Sequence, residues 1–226
     1  MRAAKIKTEL RQEQIAAAAL DLMARHGTKA LNVVRLADKV GVVPSAIYRH
    51  YSGKDAVLDA VLELISHRLE ENVTAVRQET PDALDRLHRL LNRHVQLIRN
   101  NIAIPRVVFS EDIFSGHAPR RRRVHHLIER YLGQVAALIA EGQQAGRLRT
   151  DISADTLSVM FLGMIHPAVI LWLASDAAFD VASHTAKAWP LFAQMLQAGP
   201  IRRAGPSRSA AHSGSARRER SIKPPL

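Results

Sequence analysis

Between Asn32 and Lys54 the chain gathers side chains suited to gripping a nucleic acid: Asn32, Arg35, Ser45, Ala46, Tyr48, Arg49, His50 and Lys54. Ser45 can donate or accept a hydrogen bond, Ala46 can pack on a thymine methyl, and Arg49 can take both acceptors of a guanine edge. Asn32 and Arg35 can reach phosphates across the groove, and phosphate contacts supply affinity where base contacts supply preference. What unites these residues is the stretch LNVVRLADKVGVVPSAIYRHY, residues 31–51. A short apolar-patterned helix ends at Gly41, a tight turn follows, and a second short helix begins at Pro44. This is the grammar of a helix-turn-helix, which carries a helix end into a DNA groove.

The elements that must hold this segment follow from periodicity and caps. Helix one is expected from Thr8 to His26, with Ile15, Ala18, Ala19, Leu22 and Met23 in one stripe and Gly27 as its stop. Asn32 caps helix two, whose Val33, Leu36, Ala37 and Val40 face inward. Pro44 suits the first turn of helix three, where its missing N–H costs nothing. Lys54 and Asp55 open a long fourth helix reaching about Gln78. After Pro81 a fifth helix carries Leu84, Leu87, Leu91, Val95 and Ile98. A sixth is expected over 104–115, a seventh over 119–145, an eighth from a Ser153 or Asp151 cap to about Ala178, and a ninth from an Asp180 cap to Gln197. Pro167 should kink the eighth, because the Gly163 carbonyl loses its partner.

Composition supports an all-α fold of about nine helices. The 226 residues are 47% hydrophobic but only 4% aromatic, with almost no run of strand-like alternation. There is no cysteine, which rules out a disulfide framework, thiolate metal sites and a cysteine nucleophile. The net charge of +11 is unevenly spread. Residues 1–54 and the stretch after Gly199 are strongly basic, while the centre is balanced, so a polyanionic partner is expected for the N-terminal part. The N-terminus lacks the apolar core of a signal peptide. The one long apolar run, 159–174, is interrupted by His166 and Pro167 and is short for a bilayer span, so a buried helix, no membrane partner and a cytoplasmic location are expected. Residues 199–226 are expected to form a disordered basic tail.

The segments IAAAALDLMARHG (15–27), LNVVRLADKVGV (31–42) and PSAIYRHYSGKDAVLDAV (44–61) resemble the TetR family of bacterial transcriptional regulators. The last matches the family pattern LYxHFxxKxxLxxAV through Ile47, Tyr48, His50, Tyr51, Lys54 and Leu58. A looser likeness covers 104–197. The resemblance implies a three-helix DNA-binding head over 1–54 and a helical ligand-binding and dimerisation body over 55–198. It implies that Tyr48, His50 and Lys54 anchor the DNA backbone and that Tyr51 is a core aromatic. Val43 departs from the Ser or Thr common in the family, which removes a helix cap and a phosphate contact at that position.

A homodimer reading two half-sites of a double-stranded DNA operator is likewise implied, with a seam expected from Leu157, Phe161, Trp189, Phe192 and Leu196. The body is expected to enclose a small hydrophobic ligand, with Leu91, Val95, Phe109, Phe114, Tyr131, Met164, His166 and Trp172 as candidate lining. The function so implied is a repressor released from DNA by that ligand; the alternative is a regulator whose body only dimerises or meets a protein. The run Arg120–Arg123 is expected to be a solvated face far from the recognition helix. No metal is expected, since His88, His94, His125 and His126 form no tight ligand pattern. An enzyme is not expected: there is no Gly-rich phosphate loop, HExxH or GxSxG, and no cofactor motif.

Overall fold

The computed structural model describes residues 2–26, 31–110 and 118–197. Its elements are α1 (Arg2–His26), α2 (Val33–Val40), α3 (Pro44–Tyr48), α4 (Lys54–Glu79), α5 (Ala83–Asn100), α6 (Ala103–Val108), α7 (Ala118–Gln144), α8 (Ala154–Gly163), α9 (His166–Ala174) and α10 (Val181–Gln197). No strand occurs among the described residues. The expected stop at Gly27, Phe114 and the basic tail lie outside them. The sixth helix, expected over 104–115, ends already at Val108, where the Phe109 N–H turns back to the Pro105 carbonyl.

Local chemistry sets most boundaries. Asn32 Oδ1 accepts the Arg35 N–H at 2.8 Å, and Asp82 and Ser153 cap α5 and α8 in the same way through the Asp85 and Thr156 N–H groups. Asp180 Oδ1 accepts from Ala182 and Ser183 at the start of α10. Gly41 closes α2 with φ of 74°, a left-handed conformation that glycine adopts without strain, and the Val42 N–H returns to the Ala37 carbonyl.

Where the pattern predicts one eighth helix there are two. The Met164 and Ile165 N–H groups bond three residues back, to Phe161 and Leu162, so the α-helical ladder tightens and stops. Pro167 then falls in the first turn of α9, where a missing N–H is tolerated. The proline does not bend a continuous helix; it restarts one. By length and composition 154–174 is apolar enough to cross a membrane. Here it packs against α7 and α10 instead.

One apolar core runs from Ile15 and Met23 of α1 to Leu196 of α10. α4 is its spine, packing on α1 at one side and on α5 and α7 at others. Gly142 of α7 is required by close approach: a Cβ there would lie 2.6 Å from Leu148 and 2.7 Å from Ala83. The Arg149 guanidinium is buried yet satisfied, donating to both oxygens of Asp151 and to the Met195 carbonyl.

Candidate nucleic-acid interface and cavity

α1, α2 and α3 pack so that Leu36, Ala37 and Ile47 are buried while the opposite side of the turn faces out. Arg35, Ser45, Arg49 and Lys54 are exposed, Ala46 and His50 are half-buried, and Tyr48 is 57% exposed although it is a large aromatic. Leaving a tyrosine ring in water forfeits burial energy, so its place is better explained by what it meets than by packing. Tyr51 behaves differently. Its hydroxyl donates to the Gln12 carbonyl at 3.0 Å, tying the link between α3 and α4 to α1, and burial raises its pKa.

Asn32 is exposed, and its side-chain oxygen is engaged as the cap of α2, leaving its amide N–H groups to face a partner. Pro44 opens α3 after Val43, which offers no side-chain cap. Lys54 is the first residue of α4, so the spine of the body begins within the exposed basic row.

The second feature lies inside the body. A cavity of about 50 Å³ sits among α4, α5, α6, α7 and the α8–α9 break, walled by Ile65, Leu69, Ile98, Phe109 and Leu162. Of the expected lining residues, Phe109, Tyr131 and His166 are on this wall. Leu91 and Val95 are buried core on α5, and Met164 and Trp172 pack at the edge of the core, so these four do not line it.

Three polar groups converge there. His94 Nδ1 lies 2.9 Å from the Tyr131 hydroxyl, and the His166 ring stands edge-on to His94 and to Phe109. Burial, with His166 close by, lowers the His94 pKa to about 3; burial also lowers that of His166 and raises that of Tyr131. Both histidines are therefore neutral at pH 7. Sequence reasoning considers His94 only as a metal ligand and so overlooks it in the lining, yet it falls on the Leu87, Leu91, Ile98 stripe of α5.

This carries a pH prediction. Each histidine binds protons less readily folded than unfolded, where the pKa is about 6.5. As pH falls below that value the unfolded chain takes up protons first, so stability is lost downward from about pH 6.5, toward about 3 for His94. Urea unfolding between pH 7.5 and 5 should show this loss. His94→Gln, which can still bond Tyr131, should flatten the dependence by one proton. An unchanged slope would contradict the assignment.

α6 lies between cavity and head. Its Ile104, Pro105 and Val108 wall the cavity, while Arg106 Nη1 donates to the Ala24 carbonyl of α1 at 2.6 Å. Beyond the cavity, the residues expected at a dimer seam are placed inside the protomer. Leu157, Phe161, Phe192 and Leu196 are buried, and Trp189 stacks on His88 with ring centroids 4.7 Å apart. The large apolar side chains left in water on these helices are instead Val159, Met160, Ile170, Leu171 and Leu191.

A helix-turn-helix head carried on an all-helical body with an apolar cavity among its helices defines a class of one-component DNA-binding regulators. Residues 15–61 match the family described as bacterial regulatory proteins, tetR family, and residues 62–195 match the YsiA-like protein C-terminal region. The chain belongs to the tetR family of DNA-binding transcriptional regulators. It is 22% identical over 191 residues to the nucleoid occlusion factor SlmA of Vibrio vulnificus, covering 84% of this chain and 97% of that one. Its fold is similar to the fatty acid degradation regulator FadR from Bacillus halodurans, with TM-score 0.69, 22% identity, and coverage of 82% and 94% of the two chains. It is also similar to FadR from Bacillus subtilis, solved in complex with stearoyl-CoA, with TM-score 0.66, 20% identity, and coverage of 81% and 98%.

Proposed function

We propose that this regulator is a cytoplasmic homodimeric repressor whose grip on an operator is released by a small hydrophobic ligand entering the body. The head is residues 1–54 and the body 55–198. Ser45, Ala46 and Arg49 read base edges; Asn32, Arg35, Tyr48, His50 and Lys54 hold the backbone, and Pro44 starts the helix that meets the DNA. The observation that carries the reading is the position of α6, with the cavity on one side and a hydrogen bond into α1 on the other.

A space of about 50 Å³ holds no more than a few waters. A ligand must therefore bind a state in which the cavity has opened, and α6 is the wall that reaches the head. Because the ligand favours the opened state, it shifts the population away from the one that fits DNA. An apolar body with one polar group suits the lining, since the neutral histidines and Tyr131 supply donors and acceptors in an otherwise apolar wall. The stearoyl-CoA in the Bacillus subtilis FadR makes acyl thioesters the first chemistry to try.

The test is to capture genomic fragments on the purified protein, sequence them, and challenge the complex with acyl-CoAs of graded chain length. Release of DNA together with a raised melting temperature is expected. No release and no shift across the series would remove the acyl-thioester reading. The small volume favours a second reading, in which the body only pairs or meets a protein partner. A broad metabolite panel without any melting shift would select it.

Lys54→Ala should weaken binding to every sequence alike and make the salt dependence shallower by about one ion per protomer. A change in base preference, read by sequencing bound fragments, would contradict the sorting of contacts.

A further inference from the structure

The arginines that open α7 are not remote from the head. The pairs linking α4 to α7 advance together: Arg120 to Asp55 at 2.7 Å, Arg123 to Asp59 at 3.0 Å, Arg130 to Glu63 at 3.3 Å, and Arg77 to Glu141 at 2.6 Å. Rising numbers on one helix meet rising numbers on the other. The two helices are therefore parallel and begin at the same end of the molecule, the end where Lys54 opens α4. Arg120–Arg123, expected as a solvated face far from the recognition helix, thus stand beside the first turn of α4.

The four arginines divide into two pairs. Arg120 and Arg123 turn toward α4 and compensate Asp55 and Asp59. Arg121 and Arg122 fall on the other side of the same turn, are exposed, and have no ion-pair partner among the described residues. They lie within one helical turn, about 5.4 Å along the axis, of a guanidinium bonded to the residue after Lys54. With Asp55 and Asp59 already paired, a positive patch that is uncompensated among the described residues continues the basic row of the head.

We propose that Arg121 and Arg122 bind the phosphodiester backbone of the same duplex, flanking the part held by the head. The inference rests on the head binding DNA as proposed above. Charge complementarity and continuity with the head's basic row select DNA backbone over an acidic protein as the occupant. The arginines add affinity without sequence preference, since they meet only phosphate.

The experiment uses the full chain and random-sequence duplex DNA long enough to run past both heads, titrated over a range of salt. Arg121→Gln with Arg122→Gln should make the slope of log Kobs against log salt shallower by about 0.9 for each phosphate no longer neutralised, so about 1.8 per protomer. Arg121→Lys with Arg122→Lys should retain most of the slope. Arg147→Gln removes the same kind of charge just past the opposite end of α7 and should change nothing. In the unmodified protein, duplex DNA should shield Arg121 and Arg122, but not Arg147, from phenylglyoxal; that readout needs no variant to fold.

If the double glutamine variant keeps the full slope while Lys54→Ala reduces it, the patch is off the DNA and the proposal is overturned with the head reading intact. An equal reduction from Arg147→Gln would mean general charge rather than a defined contact, which also overturns it. If Lys54→Ala leaves the slope untouched as well, both readings fall together.

Discussion

Leu171→Glu is expected to separate the protein into monomers and to lower its affinity for captured operator fragments by about a hundredfold or more. Leu171 is 50% exposed in the protomer, and Val159, Met160, Ile170 and Leu191 are similarly left in water. Monomeric proteins seldom leave so many large apolar side chains uncovered on neighbouring elements, and a second copy of the chain is the partner the proposed dimer supplies. A carboxylate placed there would have to be desolvated on pairing, while an isolated protomer would hold it in water at little cost. Two linked heads gain about 10² to 10⁴ in avidity over one, so the loss on DNA should greatly exceed any loss of stability. Sedimentation and fluorescence anisotropy would check the two halves of the prediction. A variant that remains dimeric with unchanged affinity would move the seam elsewhere.

The largest loss of stability is expected from Phe161→Ala, a short distance away on the other face of α8. Phe161 is fully buried, with its ring 6.1 Å from that of Phe192 on α10. Removing a buried phenyl group takes away its transfer energy and leaves a void, together costing about 3–5 kcal/mol. Chemical denaturation at one fixed protein concentration would show it, because dimer formation makes apparent stability depend on concentration. The pair of substitutions separates the two faces of one segment. Were Phe161→Ala to dissociate the dimer while sparing the protomer, the burial described for α8 would be wrong.

That segment also shows where sequence reading runs out. The head is legible because its signals are local: an Asn cap, a left-handed glycine and a first-turn proline each act within a few residues. The caps at Ser153 and Asp180 are legible for the same reason. The seam is not, because 159–174 is apolar nearly all round, and periodicity says only that such a helix is covered on every side. Choosing Leu157 and Phe161 for the seam takes the stripe that the protomer keeps for itself.

Other differences have their own causes. Pro167 does announce a disturbance, but whether a helix bends or restarts depends on what the preceding turn packs against. The approach of Arg120 to Asp55 joins positions 65 residues apart, which no local pattern encodes. Leu91, Val95, Met164 and Trp172 cannot be told from cavity lining in the sequence, because core and cavity wall have the same composition.

The shared core has a consequence for exchanging parts between regulators. α4 begins at the DNA end and buries apolar residues against both α1 and the body, without any slack connector at position 54. A chimera joining this head to another regulator's body would have to match both faces of that one helix. Grafting at residue 54 alone would leave two half-complementary surfaces, so a transplantable sensor here includes its own strut.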